Sequence, residues 1–228
     1  MNNNRQLNWN GCSNVRDLGG LSTRDGRMTR FGAVVRSDTP SRLTAEGWSA
    51  LYDHGIRTII TLRTHGMTEN ELDFTLGYPD IAVVQAAIED ITDKEFLEKW
   101  AASELWSTPL YYKDALQRWP ERHAAVISSI AQAQSGGVLF HCKRGVDRTG
   151  IITLLLLGLV GVTQDEILED YVQSLDPGRE EILKAHNTST REVILETIAG
   201  LDVENYLLEG GVTRAELDSV KVRLLESR

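Results

Sequence analysis

The stretch from Gly136 to Val160 constrains the fold of this 228-residue chain more than any other. Gly136-Gly137 ends a helical pattern, Val138-Leu139-Phe140-His141 is a short apolar run, and helical propensity resumes at about Thr149 and continues to Val160. An unbroken apolar run of that length, bounded by glycines, reads as a buried strand. A buried strand feeding a helix across a tight loop is the unit from which α/β proteins are assembled. Ligands of such sheets sit beyond the carboxyl ends of the strands. Chemistry is therefore expected in the loop that starts at Cys142.

The rest of the chain alternates in the same way. Thr44 opens a helix carrying Glu46, Trp48 and Leu51, which Gly55 closes. Gly55 to Arg63 has a β-branched, apolar centre and reads as a second buried strand, with Ile81 to Val84 a third. Thr92 with Glu95, Thr163 with Glu166 and Thr213 with Glu216 have capping-box spacing and predict three helix starts. Tyr111 to Gln134 is helical in pattern, interrupted at Pro120, a residue suited to the first turn of a new helix. No repeat or linker divides the chain. The expected fold is a single α/β domain over residues 1–228, with a mainly parallel central sheet flanked by helices and a flexible segment at 1–13.

Composition narrows the function. At 41% hydrophobic and 25% charged residues the chain can bury a real core. The 24 basic and 33 acidic residues leave a net charge of −9, which repels nucleic acid and anionic membranes, so no nucleic-acid partner is expected. The longest apolar run, Ile151 to Val162, is shorter than the roughly 20 residues of a membrane span. The first ten residues lack a signal-peptide core, and a cytoplasmic location is expected. Cys12 and Cys142 are the two cysteines, too few for a disulfide framework or a Cys-x-x-Cys metal pair. His54, His65, His123 and His186 are scattered without metal-ligand spacing, and neither metal nor cofactor is expected.

The loop His141-Cys142-Lys143-Arg144-Gly145-Val146-Asp147-Arg148-Thr149-Gly150 combines parts that suit a tetrahedral dianion. Its backbone N–H groups form a nest, and the following helix adds partial positive charge at its N-terminus. Gly145 permits a tight turn and close approach to a ligand. Arg148 offers a planar fork matched to two phosphate oxygens. The same field favours the thiolate of Cys142, the nucleophilic form of cysteine. Attack on a bound phosphorus would give a phosphocysteine that water then cleaves. Thr149 is placed to donate its hydroxyl to the sulfur, and His141 to orient the loop.

These residues resemble a known pattern. His141-Cys142-x-x-Gly145-x-x-Arg148-Thr149-Gly150 resembles the phosphate-binding loop of the protein-tyrosine-phosphatase superfamily. Asn14-Val15-Arg16-Asp17-Leu18-Gly19-Gly20 is similar to the Asn-Phe-Arg-Asp-Leu-Gly-Gly element of a bacterial branch holding tyrosine and phosphoinositide phosphatases. Arg36-Ser37-Asp38, Gly55-Ile56-Arg57-Thr58 and Tyr206-Leu207 with Gly210 and Val212 are similar to further elements of that branch. The resemblance implies a tyrosine-phosphatase-like fold and a metal-free, cysteine-dependent phosphatase. Phosphotyrosine proteins are its first candidate substrates and phosphoinositides its second. Two departures stand out: Val146 occupies the place of a usual lysine, and Thr61-Leu62-Arg63 replaces Asp-Leu-Arg. Lys143 and Arg144 supply charge in place of the lysine, and Glu69 is a candidate substitute for the aspartate.

The general acid is sought among four aspartates. The resemblance favours Asp147, with Asp90 close behind because it follows a strand. Asp93 suits the stabilised first turn of a helix, and Asp114 an exposed helix face. Arg16-Asp17 either borders the site or forms a structural ion pair. Lys143 and Arg144 are either ordinary solvated charge or recognise a polyphosphorylated substrate. Leu175 to Arg191 is irregular in pattern and is a candidate lid. Two other readings are a phosphoprotein-binding module with little turnover and thiol redox chemistry using Cys12.

Overall fold

The computed structural model describes residues 4–64, 77–174 and 177–226. Its strands are β1 (Arg16–Asp17), β2 (Val34–Ser37), β3 (Ile56–Thr61), β4 (Ala82–Gln85) and β5 (Gly137–His141). They form one sheet in the order β1-β2-β5-β3-β4, antiparallel only at β1. This is the mainly parallel sheet expected. Strand β5 lies at its centre with every residue buried. Val138 and Phe140 enter the larger hydrophobic cluster on one face, and Leu139 the smaller cluster on the other, as the period of two along a strand dictates. Ser37, Thr61 and His141 lie in register at the carboxyl ends of β2, β3 and β5. The chain that follows His141 therefore emerges at the edge where a parallel sheet binds ligands.

Ten helices flank the sheet among the described residues. Helix α1 (Ala45–Asp53), capped by Thr44, packs Trp48 and Leu51 against Trp9, Val35, Ile59 and Leu139 on the smaller face. The larger face is covered chiefly by α3 (Tyr112–Arg118), α4 (Pro120–Gln132) and α5 (Asp147–Leu159), with α6 (Gln164–Val172), α8 (Thr190–Ala199), α9 (Val203–Glu209) and α10 (Arg214–Leu224) around them. A short helix α2 (Lys94–Phe96) precedes α3, and α7 (Pro177–Ala185) follows α6. The apolar run of α5 beyond Gly150, broken by Thr153, is explained by its position, since nearly all of the helix is buried. It begins at Asp147, two residues before the start read from the sequence, so its N-terminal turn belongs to the loop after β5.

Three expectations are corrected. Residues 5–13 are docked, not flexible: Arg5 reaches Asp170, the Leu7 amide donates to the Val15 carbonyl at 3.0 Å, and Trp9 is buried. The helix after Asp90 is capped by Asp93, whose carboxylate accepts from the Phe96 amide at 3.0 Å. Thr92 instead donates its hydroxyl to Asp90 at 2.7 Å. The irregular pattern from Leu175 to Arg191 contains helix α7 and the start of α8, joined by a turn that places Asn187 at a positive φ of 57°. Its first two residues, and the whole of 65–76 with His65 and Glu69, lie outside the described residues.

Candidate active site

Cys142 is buried where β5 ends, and the chain then curls through Lys143 to Val146 into α5. Gly145 makes the curl possible. Its φ is +69°, and a Cβ there would lie 2.6 Å from the Asp38 nitrogen and from the Ser37 carbonyl carbon. Only glycine satisfies both the left-handed backbone and that approach to the end of β2. The loop is tied down from behind. The carbonyl of Lys143 accepts from the Thr39 amide at 3.2 Å, and that of Cys142 lies 3.1 Å from His141 Nδ1. Asn14 Nδ2 donates to the carbonyls of Arg144 and Gly145, each at 3.0 Å.

Arg148, in the first turn of α5, faces Glu89, with Nε 3.7 Å from Oε2. Burial opposes the charge of this guanidinium, yet Glu89 and the Cys142 sulfur hold it above the ordinary arginine value. Burial pushes the Glu89 carboxyl upward against the pull of Arg148 and of the Tyr111 hydroxyl, which donates to it at 3.3 Å. Thr149 is fully buried, and its hydroxyl has no hydrogen-bond partner among the described residues. Val146 is buried at the N-cap of α5 and brings no charge to the place where a lysine was sought.

The candidate acids occupy different settings. Asp147 is the first residue of α5, and its mostly buried carboxylate lies 2.9 Å from the buried Arg179 and 3.4 Å from Arg144. The Asp90 carboxylate accepts from the Thr92 amide at 2.8 Å and from Arg122 at 2.8 Å. Those Thr92 hydrogen bonds, with Arg122, hold it below the ordinary carboxylate range, so it stays ionised at neutral pH. Asp114 is not on an open helix face, since it accepts from Trp100 Nε1 at 2.7 Å and pairs with Lys99 and Arg118. Lys143 is exposed and the Arg144 side chain half exposed at the rim. Cys12 accompanies Thr39, to whose carbonyl its Sγ lies at 3.5 Å, and burial raises its thiol pKa, the reverse of what reactivity requires.

The model of the tyrosine phosphatase family matches residues 7–226. The chain belongs to the tyrosine phosphatase family. It is 30% identical over 200 residues to a Cupriavidus necator protein named "putative tyrosine-protein phosphatase", covering 86% of this chain and 70% of that protein. It is 29% identical over 193 residues to the triple specificity protein phosphatase PtpB of Mycobacterium tuberculosis, covering 73% and 68% respectively. Among solved structures, P. aeruginosa TpbA aligns over 77% of this chain and 84% of that chain, with 17% identity and a TM-score of 0.44.

Two features of this phosphatase escaped the sequence reading. Glu89, beside the Asp90 that drew attention, is the carboxylate that faces Arg148; its neighbour points outward to Arg122. The available signal was an acidic residue directly after the apolar Ile88, at the end of the run that follows Ile81 to Val84. Arg16 and Arg36 form a cross-strand pair between β1 and β2, and both converge on buried Asp170 of α6. Arg16 is thus part of a structural ion network, while Asp17 turns the other way to His54 at 2.9 Å. Asp170 carries no local motif, so its partners become visible only in three dimensions.

Proposed function

We propose that this phosphatase hydrolyses phosphate monoesters through a phosphocysteine, with phosphotyrosine in proteins as its first substrate class. One observation carries the reading: Cys142 and Arg148 bracket a loop whose carbonyls are pinned behind it, at the N-terminus of a buried helix. The Cys142 thiolate attacks phosphorus, forming an S–P bond as the ester P–O bond breaks. Asp147 gives its proton to the leaving oxygen. Water then attacks phosphorus, Asp147 takes its proton, and the S–P bond breaks to restore the thiolate. The buried Thr149 hydroxyl donates to the sulfur as it leaves. Arg148 and the loop amides from Lys143 to Arg148 hold the equatorial oxygens, where preorganised donors contribute most.

Asp147 is preferred over Asp90 because it lies within the segment from Cys142 to Arg148, whereas Asp90 points away to Arg122; both carboxylates are paired with guanidiniums, Asp147 with Arg179 and Arg144. A second substrate class, phosphoinositides, is favoured by the exposed Lys143 and half-exposed Arg144 at the rim. The deciding experiment is hydrolysis of an aryl phosphate, a phosphotyrosine peptide and an inositol phospholipid by the wild type and Cys142→Ser. The reading requires turnover that Cys142→Ser abolishes and chelators leave unchanged. Tight phosphopeptide binding without turnover would favour a binding module instead. Replacing Lys143 and Arg144 by alanine must lower the lipid rate selectively if the rim selects polyanions.

A further inference from the structure

Whether the loop binds an anion depends on which way its peptide groups face, and that is decided outside the loop. In a trans peptide the C=O and the next residue's N–H point to opposite sides. Pinning a carbonyl behind the loop therefore aims the following amide into the concavity. The Arg144 carbonyl is held by Asn14 Nδ2 at 3.0 Å. The Gly145 carbonyl is held twice, by Asn14 Nδ2 at 3.0 Å and by Arg36 Nη2 at 2.7 Å. The amides turned inward by these contacts belong to Gly145 and Val146. Neither donates to any group among the described residues.

The donors are themselves fixed. Asn14 Oδ1 accepts from Arg16 Nη1 at 2.6 Å and from the Ser174 hydroxyl at 3.2 Å. With its oxygen so engaged, the Asn14 amide must present its nitrogen to the loop. Arg36 is fully buried, and its Nη1 meets Asp170 Oδ2 at 2.5 Å. Asp170 also receives Arg16 Nε at 3.2 Å and Arg5. Three guanidiniums against one carboxylate leave surplus positive charge beneath the loop. Burial and the neighbouring Arg36 push the Arg16 guanidinium down to about 10, consistent with that surplus.

We infer that Asn14 and Arg36, the latter held by Asp170, are positioning residues that aim the Gly145 and Val146 amides at the phosphate oxygens. The inference rests on the phosphatase reading above. Both residues act through the backbone, and neither is assigned contact with sulfur or substrate. Asn14, which opens the segment Asn14-Val15-Arg16-Asp17, thereby has a physical task in this chain.

Asn14→Asp tests it, because the carboxylate keeps the acceptor edge toward Arg16 and Ser174 but loses the donors to the loop. The inhibition constant for orthovanadate is expected to rise at least tenfold and kcat/KM to fall in proportion. The change in vanadate affinity should exceed that in KM, because the transition state leans harder on these amides than the ground state does. The thermal midpoint should stay within a few degrees of wild type. Vanadate inhibition within twofold of wild type overturns the inference. Should Asn14→Asp fail to fold, Asn14→Ala must show the same loss, and unchanged vanadate inhibition in it is equally fatal. A wild type that vanadate does not inhibit overturns the phosphatase reading alone. The crystal structure of the folded variant then decides the inference: turned Arg144–Gly145 and Gly145–Val146 peptides support it, and unchanged peptides reject it.

Discussion

At the scale of single residues, the proposed mechanism divides the candidate site into groups that would do chemistry and groups that would hold them. Removing the acid should cost about 10²- to 10⁴-fold in rate when the leaving group is poor, and little when it is good. Asp147→Asn is expected to show that difference between an alkyl and a nitrophenyl ester, while Asp90→Asn stays within about threefold of wild type on both. The reverse pattern in steady-state kinetics would move the acid to Asp90. Glu89→Gln should lower kcat/KM by about tenfold, because a buried guanidinium that loses its charged partner loses orientation with it. The contiguous loop was legible in the sequence because its cysteine, glycine and arginine lie within a few residues of one another. Glu89 was not, because its meaning lies in a helix far along the chain.

At the scale of elements, the connection between β5 and α5 carries the candidate site, and its turn depends on Gly145. Gly145→Ala must either abandon a φ of +69° or push back the chain at Ser37 and Asp38. The left-handed conformation alone costs roughly 1–2 kcal/mol for a residue with a Cβ. A lower thermal midpoint together with at least a tenfold loss of aryl phosphatase activity is expected, and an active, equally stable variant would show that the loop tolerates another path. Thr213→Ala offers a contrast, since it removes the hydroxyl that accepts from the Glu216 amide at 3.2 Å and donates to the Glu216 carboxylate at 2.8 Å on α10, while the Thr213 backbone N–H keeps its bond to Glu216. Calorimetry should find a loss of about 1 kcal/mol with activity unchanged. Elements with a strong local signal were readable: the caps at Thr44, Thr163 and Thr213, Pro120 opening α4, and the apolar run of β5. Strand β1 is two residues long and polar, formed by pairing with β2 and not by propensity, so no pattern announced it. The Thr92 spacing misled because Asp93 competes for the same cap.

At the scale of the whole molecule, buried titratable groups link stability to pH in two windows. Burial lowers the His123 pKa to about 3, although a backbone hydrogen bond to Trp119 works against the shift. Unfolded histidine titrates near 6.5, so the unfolded chain takes up a proton that the folded one refuses. The contribution of His123 is full above about pH 6.5 and declines by about 1.4 kcal/mol per unit as pH falls toward 3. Burial alone would raise the Asp170 carboxyl, but Arg36, Arg16 and Arg5 hold it far below the ordinary range. Its contribution is therefore present above about pH 4 and is lost only as pH falls below that. Denaturant midpoints measured from pH 7 to 5 should decline in the wild type and flatten in His123→Gln; parallel slopes would remove His123 from the account. No helix among the described residues is long and apolar enough to cross a membrane.

The claim on which the mechanism stands is that phosphorus is transferred to sulfur. Acid quenching during turnover of an aryl phosphate, followed by mass spectrometry of the peptide containing Cys142, tests it most directly. One phosphoryl group on Cys142, absent from Cys142→Ser, is the predicted result. Phosphate found on another residue, or hydrolysis persisting in Cys142→Ser, would contradict it.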